Sequence, residues 1–468
     1  MSKGEIISTS LWDDILSVTG TTDRSRVLRL FITIHTEKED FQPMKVLVYE
    51  NLRDYYKDTG ETFHIRVMMT FGDYIYRVIP FKDNLEISLT TSWMFEGGDE
   101  NEDLPPKEVR YKALLDTQKN PFFGSQSLTN RSNIDLNHMP LQEINFELVD
   151  RREELLRLKT VSGIYRNVSV EQVLRGVFFH EANKIKVDGK NSVEVLDLDP
   201  PDQKNSVPEL LLPSGLLLRD LPGFMQEKVK GVYTAGIGSF FQVYRDNPSW
   251  FVYPLYRPQR FDEDRYKLII YAVPEERMPS HDHTYRIEGK IVYIVTTGAK
   301  SEIDPARMSE LNSGVGFRMP NAESFMTKPV EILEDGIKAN RHRLNFEVQN
   351  HNRKDQVLYA SMKKPGSNPF MEYSRILAQD FTGLSISWQN SDPDLLYPGM
   401  PVKYVTMDKG QYLERKGTLV KVMNVTAIQG NPTVDTVHRC SSQLYMMLET
   451  KEYLPDNDPE ESVGEEQH

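Results

Sequence analysis

The sequence contains one cysteine, Cys440, in 468 residues. A single thiol excludes a disulfide framework within the chain, and a chain of this length can bury more than one core without such staples. With no signature around it, Cys440 reads as a small buried hydrophobe and not as a nucleophile. Apolar runs long enough to span a bilayer are absent. The N-terminal MSKGEIISTSLWDDIL also lacks a cationic head followed by an apolar core, so the expectation is a soluble product of the cytoplasm with no membrane insertion. Positive charge is in deficit. Lys and Arg number 56 against 69 Asp and Glu, and the resulting charge of -13 excludes generic wrapping of nucleic acid by clustered cations. It suits a surface past which DNA slides. The strongly marked enzyme motifs, G-x-S-x-G, H-E-x-x-H, Walker A and C-x-x-C, do not occur.

What is present is strand text. From Arg26 the segments RVLRLFITIHT, MKVLVYENL, ETFHIRVMMTFGDYIYRVIPF and NLEISLTTSWMF favour extended structure. Phe63, Ile65, Val67 and Met69 alternate, as do Leu85, Ile87 and Leu89 and later Ile144, Phe146 and Leu148, the period of half-buried antiparallel strands. The acidic, Gly- and Pro-broken stretch Glu96 to Glu108 reads as a long exposed loop. A first β-barrel or small sandwich over 24–150 follows from this pattern, after an N-terminal arm at 1–23.

The period then changes. In NVSVEQVLRGVFFHEANKI, Ser169 and Gln172 have capping-box spacing, and Val173, Leu174, Val177 and Phe178 share one helical face, an apolar stripe that reads as core. Further on, KGVYTAGIGSFFQVYRDNPSWFVYPLY poses a choice between a phosphate loop and architecture. A dinucleotide fingerprint needs G-x-G-x-x-G after a strand, but Phe241 occupies the third glycine position. A helix precedes the glycines, marked by Asp220, Pro222, Met225, Val229, Val232 and Tyr233. Gly236 and Gly238 therefore read as a structural turn that ends this helix, followed by a hairpin of two aromatic strands. The amphipathic aromatics of that hairpin, Tyr244, Trp250 and Tyr253, are candidates for an interface as well as for internal packing. The unit 151–262 is thus mixed α+β.

Strand text returns at RYKLIIYAVP and YRIEGKIVYIVTTG, and again at LSISW, MPVKYVTM, KGTLVKVMNVTAI and CSSQLYMMLET. These define a second β-barrel from 263–300 and 384–455, interrupted by an inserted α+β segment at 301–383 that includes a helix in NPFMEYSRILAQDF. Pro398 and Gly399 mark a tight turn entering a strand, where a fixed φ followed by a permissive one is useful. The stretch 456–468 reads as an acidic flexible tail.

Candidate chemistry is thin. His281 and His283 would share a strand face, but two ligands make no zinc site, and a solvated pair is the better reading. The basic run Arg341 to Arg343 reads as a solvated face. Glu143 and Glu147 point to one outer face of a strand, and with 69 acids a pair at any spacing is expected, so they carry little signal for glycoside hydrolysis. No catalytic, metal or cofactor-binding residue emerges, and no cofactor is expected.

The order of PLQEINFELVD, NVSVEQVLRGVFF, the helix and hairpin LPGFMQEKVKGVYTAGIGSFFQVYRDNPSWFVYPLY, GKIVYIVTTG, NPFMEYSRILAQDF running to LYPGMPVKYV, and TLVKVMNVTAI with HRCSSQLYMML resembles the central baseplate hub proteins of contractile-tailed bacteriophages, a family that includes late control protein D and the hub part of type VI spike proteins. The segments span roughly 140 to 450. This resemblance implies an α+β, β-rich fold with two tail-tube-like antiparallel β-barrels and inserted α+β domains. It also implies a non-enzymatic homotrimer in the virion tail baseplate that joins a sixfold tail tube to a threefold central spike, with baseplate wedge proteins and the tape measure protein as further partners and DNA only in transit. The rival expectations are a peptidoglycan-degrading or carbohydrate-binding tail protein and a tail connector or completion protein. The chain departs from smaller hubs by insertions at 96–108, 116–140 and 299–345.

Overall fold

The computed structural model describes residues 12–20, 26–95, 106–116, 141–187, 189–229, 231–279, 284–297, 301–303, 330–334, 337–341, 345–350, 357–361, 381–408, 411–428 and 437–450. The N-terminal unit supplies β1 (Arg26–His35), β2 (Asp40–Phe41), β3 (Lys45–Asp54), β4 (Thr62–Met69), β5 (Leu85–Phe95), β6 (Lys107–Leu115) and β7 (Gln142–Asp150). The middle unit carries β8 (Thr160–Val168), β9 (Lys186–Val187), β10 (Lys190–Asn191), β11 (Val195–Leu198), β12 (Val207–Leu217), β13 (Ile237–Tyr244) and β14 (Asn247–Pro254). The C-terminal part supplies β15 (Lys267–Ala272), β16 (Tyr285–Glu288), β17 (Ile291–Thr296) and β18 (Ser301–Ile303). A separate antiparallel meander of β19 (Val330–Glu334), β20 (Ile337–Arg341), β21 (Asn345–Asn350) and β22 (Val357–Ser361) follows. The chain ends in β23 (Phe381–Gln389), β24 (Pro401–Asp408), β25 (Gln411–Ile428) and β26 (His438–Glu449).

One 15-stranded sheet contains most of these strands, and part of it closes on itself. Following the ladders from β25 through β3, β4, β7, β6, β5, β1 and β26 returns to β25, a ring of strands. The alternation that marks these strands in the sequence is what fills it. Ile65, Val67, Met69, Ile87, Ile144 and Phe146 point inward and are almost wholly buried, while the residues between them face out. The seam is narrow: β1 meets β26 at the single pair Leu28 and His438. The His438 ring then reaches across to the backbone oxygen of Val46 at 2.9 Å.

The remaining strands run β16, β17, β15, β24, β25, β26, β23, β18. Here the β16–β17 hairpin and β23 come together without a ladder, through the Thr296 hydroxyl donating to the Ser387 backbone oxygen and the Thr284 hydroxyl, just before β16, donating to that of Gln389 at 2.7 Å. A second core lies inside, with Leu268, Ile270, Trp388, Val402, Leu444 and Met446 among its residues. The antiparallel expectation fails at β15, which pairs parallel with both β17 and β24. Its text KLIIYA is a continuous apolar run because both faces are covered. Leu268 and Ile270 face the second core, whereas Ile269 and Tyr271 pack with Ile15 and Val18 of the N-terminal helix at 12–19.

The two β-units are not separate bodies. The first part of β25 pairs with β24 through Thr418, and its last part, Lys421 to Ala427, pairs with β3. β26 runs alongside β25 from Gly417 to Ile428 and on its other side pairs with β23. Two long strands thus belong to both units at once. Gly417 lies where β25 crosses from one to the other, and a Cβ there would stand 1.9 Å from the Met447 backbone oxygen.

Between the β-units sits the α+β part, with its own core around Val173, Phe178, Leu221 and Trp250. Helix Arg151–Leu158 is capped by Asp150, and the helix starting at Val170 carries the capping box in which Ser169 and Gln172 exchange hydrogen bonds. The helix read as reaching Tyr233 stops at Val229. Gly231, at φ 88, turns the chain. The Gln226 side chain accepts from the backbone N–H groups of Val232 at 2.7 Å and Tyr233 at 3.0 Å, so those two residues are buried as a cap and not as another helical turn. The predicted helix in NPFMEYSRILAQDF falls largely on 362–380, and the acidic tail wholly beyond 450, outside the described residues.

Adding a methyl at Gly417 forces β25 away from β26 at the point both units share. Gly417→Ala is expected to destabilise the chain by about 1–3 kcal/mol and to do so in one transition, which urea unfolding followed by tryptophan fluorescence and far-ultraviolet circular dichroism together will check.

Candidate functional site: a polar ring mouth and two buried ion clusters

At one end of the ring the apolar filling gives way to charge. Arg53, on β3, and Glu61, just before β4, form an ion pair with side chains only 5% and 10% exposed. Arg53 also donates to the Pro393 backbone oxygen at 2.9 Å, which ties the N-terminal ring to the loop before β24. Burial pushes the Glu61 carboxyl up, against the pull of Arg53 and of hydrogen bonds from Arg53 and Asn51. Beside it the Asp150 carboxylate caps helix Arg151–Leu158, accepting from the Arg152 N–H at 2.7 Å. Glu153 on that helix is buried, receives the Arg157 guanidinium at 3.0 Å, and lies flat against Gly60, where any Cβ would strike its carboxylate. Loss of water raises the Glu153 carboxyl to about 7, more than Arg157 can offset, with Glu61 and Asp150 pushing the same way.

These groups border a cavity of about 580 Å³ that opens between the ring, the α+β part and the loop at Pro393. Tyr49, Phe63, Trp93 and Tyr111 wall it, and Asn51, Asn424 and Thr426 contribute polar atoms. Cys440 also lines it, and burial pushes that thiol up, which leaves it a poor nucleophile.

A second cluster joins the α+β part to the C-terminal strands. Asp199, immediately after β11, meets Arg260 at 2.6 Å and Arg265 at 2.9 Å, and Arg260 is only 2% exposed. Further hydrogen bonds fix the cluster in place. Arg260 donates to the Gly399 backbone oxygen at 2.6 Å, and the Tyr233 hydroxyl donates to that of Asp199 at 2.6 Å. Asp202 pairs with Arg257 and accepts from the Thr234 N–H and hydroxyl, each at 2.8 Å. Removing one member of such a cluster leaves a buried charge uncompensated, which makes it a strong geometric constraint.

Three of the residues singled out in the sequence meet here. The Tyr253 ring is wedged between Gly238 and Gly399, where added Cβ atoms would come within 2.4 and 2.2 Å of it. Arg260 stands 5.3 Å over the same ring. Gly399 follows Pro398 in a turn closed by the Met400 N–H on the Tyr397 oxygen at 3.2 Å, and its φ of 68 is what the third position of a type II turn requires. Gly236, at φ 72, precedes β13, and Gly238 lies inside that strand.

Trp250 and Tyr253 are 1% and 2% exposed, so their surfaces are spent inside the chain. Trp250 stacks edge-on against Phe178 at 4.8 Å and donates to Ser239 at 2.9 Å. Tyr244 is half-buried and packs on Tyr397 at 5.4 Å. Glu143 and Glu147 are exposed on the outer face of β7, and Glu143 sits 3.6 Å from Arg66. His281, His283, His342 and Arg343 lie outside the described residues, and Arg341 ends β20. Among the described residues no group of three or more His, Cys, Asp and Glu could hold a metal ion, and no helix is long and apolar enough to cross a membrane. Sequence reasoning missed Arg53, Glu61, Asp199 and Arg260. The only available signal was the density of charge in RPQRFDEDRYK beside an aromatic hairpin.

No protein-family model and no curated protein matches the chain. Among solved structures it is similar to a type VI secretion system component of E. coli that is described as structurally similar to T4 bacteriophage tail proteins. That similarity covers 90% of this chain and 79% of the other at 10% identity and a TM-score of 0.39. It is also similar to a 43 kDa tail protein of a Shewanella oneidensis prophage, over 89% and 97% of the two chains at 8% identity and a TM-score of 0.41. A third similarity is to the Francisella PdpA-VgrG complex, covering 97% of this chain and 57% of the other at 10% identity and a TM-score of 0.38.

Two outcomes follow from these contacts. Gly399→Ala is expected to be among the most damaging single-methyl changes in the chain, about 2 kcal/mol or more, because it combines strain at positive φ with collision against Tyr253; thermal unfolding will measure it. Because the folded-state pKa of Glu153 lies above its ordinary 4.5, its contribution is fully present below pH 4.5 and is lost as pH rises toward about 7. Glu153→Gln should therefore gain in melting temperature relative to the wild type on going from pH 5 to pH 8, as scanning calorimetry at both pH values will reveal.

Proposed function

We propose that this chain is a structural hub of a phage-type tail baseplate and carries no catalytic centre of its own. The observation that carries this reading is the sharing of β25 and β26 by two β-units with separate cores, which makes one stiff body of them. The order of sequence segments that resembles hub proteins supports it independently.

In this reading both β-units are barrels of the tail-tube kind. Three chains form a ring of six such barrels around an axis, adapting a sixfold tail tube above to a threefold central spike below, with wedge proteins outside and the tape measure protein within reach. A closed threefold ring needs heterologous interfaces, each burying more than roughly 1,000 Å² if it is to persist. The role is mechanical and electrostatic. The charge of -13 favours an acidic channel wall, from which DNA phosphates are repelled and along which they pass without sticking.

The test is the native mass of the purified chain at micromolar concentration, alone and mixed with its spike protein. A mass of three copies in either sample is expected. A strict monomer in both, together with release of soluble fragments from purified cell walls by this chain alone, would overturn the hub reading in favour of a wall-degrading enzyme.

A further inference from the structure

We infer that the cavity at the mouth of the ring is a binding site for a small neutral saccharide. Asn51 and Asn424 are cross-strand partners on β3 and β25, 5% and 3% exposed, and both line the cavity. Their amide orientations are fixed by their neighbours. Asn51 hydrogen-bonds the Glu61 carboxylate, for which only its Nδ2 can donate, and Asn424 Oδ1 accepts from the Ser442 hydroxyl at 2.6 Å. Ser442 is itself held by Ser391 at 2.6 Å. The outcome is one acceptor, Asn51 Oδ1, and one donor, Asn424 Nδ2, each buried and without a hydrogen-bond partner among the described residues.

An unmet donor and an unmet acceptor on adjacent strands match a ligand hydroxyl, which gives one hydrogen and receives another. The walls fit the rest of a sugar. Tyr49, Phe63, Tyr111 and the half-buried Trp93 offer aromatic surface to C–H faces. A formal charge on the ligand is not called for by the cations nearest the aromatic wall, which already have partners. Arg53 pairs with Glu61, Lys107 with Asp246 at 2.7 Å, and Arg110 with Glu86 at 2.5 Å. The volume of about 580 Å³ exceeds what one or two bridging waters fill and lies within the range of sites that enclose a small molecule.

The site is independent of trimer formation and is tested on the purified full chain by saturation-transfer NMR and titration calorimetry. The probes are methyl glucoside and N-acetylglucosamine at up to about 10 mM, with benzamide as a planar amide that also presents a donor and an acceptor. Saturation transfer to at least one sugar is expected, with binding weakened about tenfold or more in Asn424→Leu and in Trp93→Ala. Trp93 is half-buried, so its variant keeps the test decisive if Asn424→Leu fails to fold. The inference is overturned if the folded wild type transfers no saturation to either sugar, if benzamide binds and the sugars do not, or if folded Trp93→Ala binds as the wild type does.

Discussion

The long hairpin of β25 and β26 is the constraint on which the rest of the molecule depends. A β-strand can offer its two backbone edges to two neighbours, and by running far enough β25 offers different stretches of its edge to β24 and to β3. Because side chains alternate between faces, one strand can serve the second core along one stretch and the mouth of the ring along the next. Leu419 and Val422 belong to the second core, and Asn424 and Thr426 face the mouth of the ring. No linker separates the units, so relative motion between them would have to break strand pairing. The hub proposed above would need such stiffness to transmit load along a tail.

The α+β part is attached by different means. Its helices and one face of its hairpin have an apolar core of their own, while Phe240, Phe251 and Tyr253 on the other face join the second core. Polar attachments flank this seam: Asp199 with Arg260 and Arg265 on one side, and helix Arg151–Leu158, with Glu153 against Gly60, on the other. Buried ion clusters are weak sources of net stability but strict about geometry, since a shifted partner leaves a charge without water or counterion. Tyr253 adds a steric counterpart. Two glycines from distant parts of the chain, Gly238 and Gly399, make room for a single ring.

Much of the ring was legible because its signal is local. Phe63, Ile65, Val67 and Met69, or Ile144, Phe146 and Leu148, announce their inward face by spacing alone, and the capping box at Ser169 fixes a helix start without reference to anything distant. The Pro398–Gly399 turn is equally local, since φ preferences are written in the residues themselves. The cross-unit features were not legible. Pairing of Asn424 with Asn51, the parallel neighbours of β15, and the meeting of Asp199 with Arg260 all join segments far apart in sequence, and no periodicity encodes a partner. The aromatic hairpin marks the boundary between the two cases: its strands could be read, but whether Trp250 faced a neighbour or Phe178 depended on a helix elsewhere in the chain.

The hub proposed for this chain is two fused β-units acting as one rigid body on a tail axis. Electron cryo-microscopy of the intact particle tests it most directly. Three copies of this chain in a closed ring around the axis are expected, each contributing both β-units as one rigid body, with the β25 and β26 pairing intact. Density for the chain away from the axis, or a symmetry other than threefold, would contradict it.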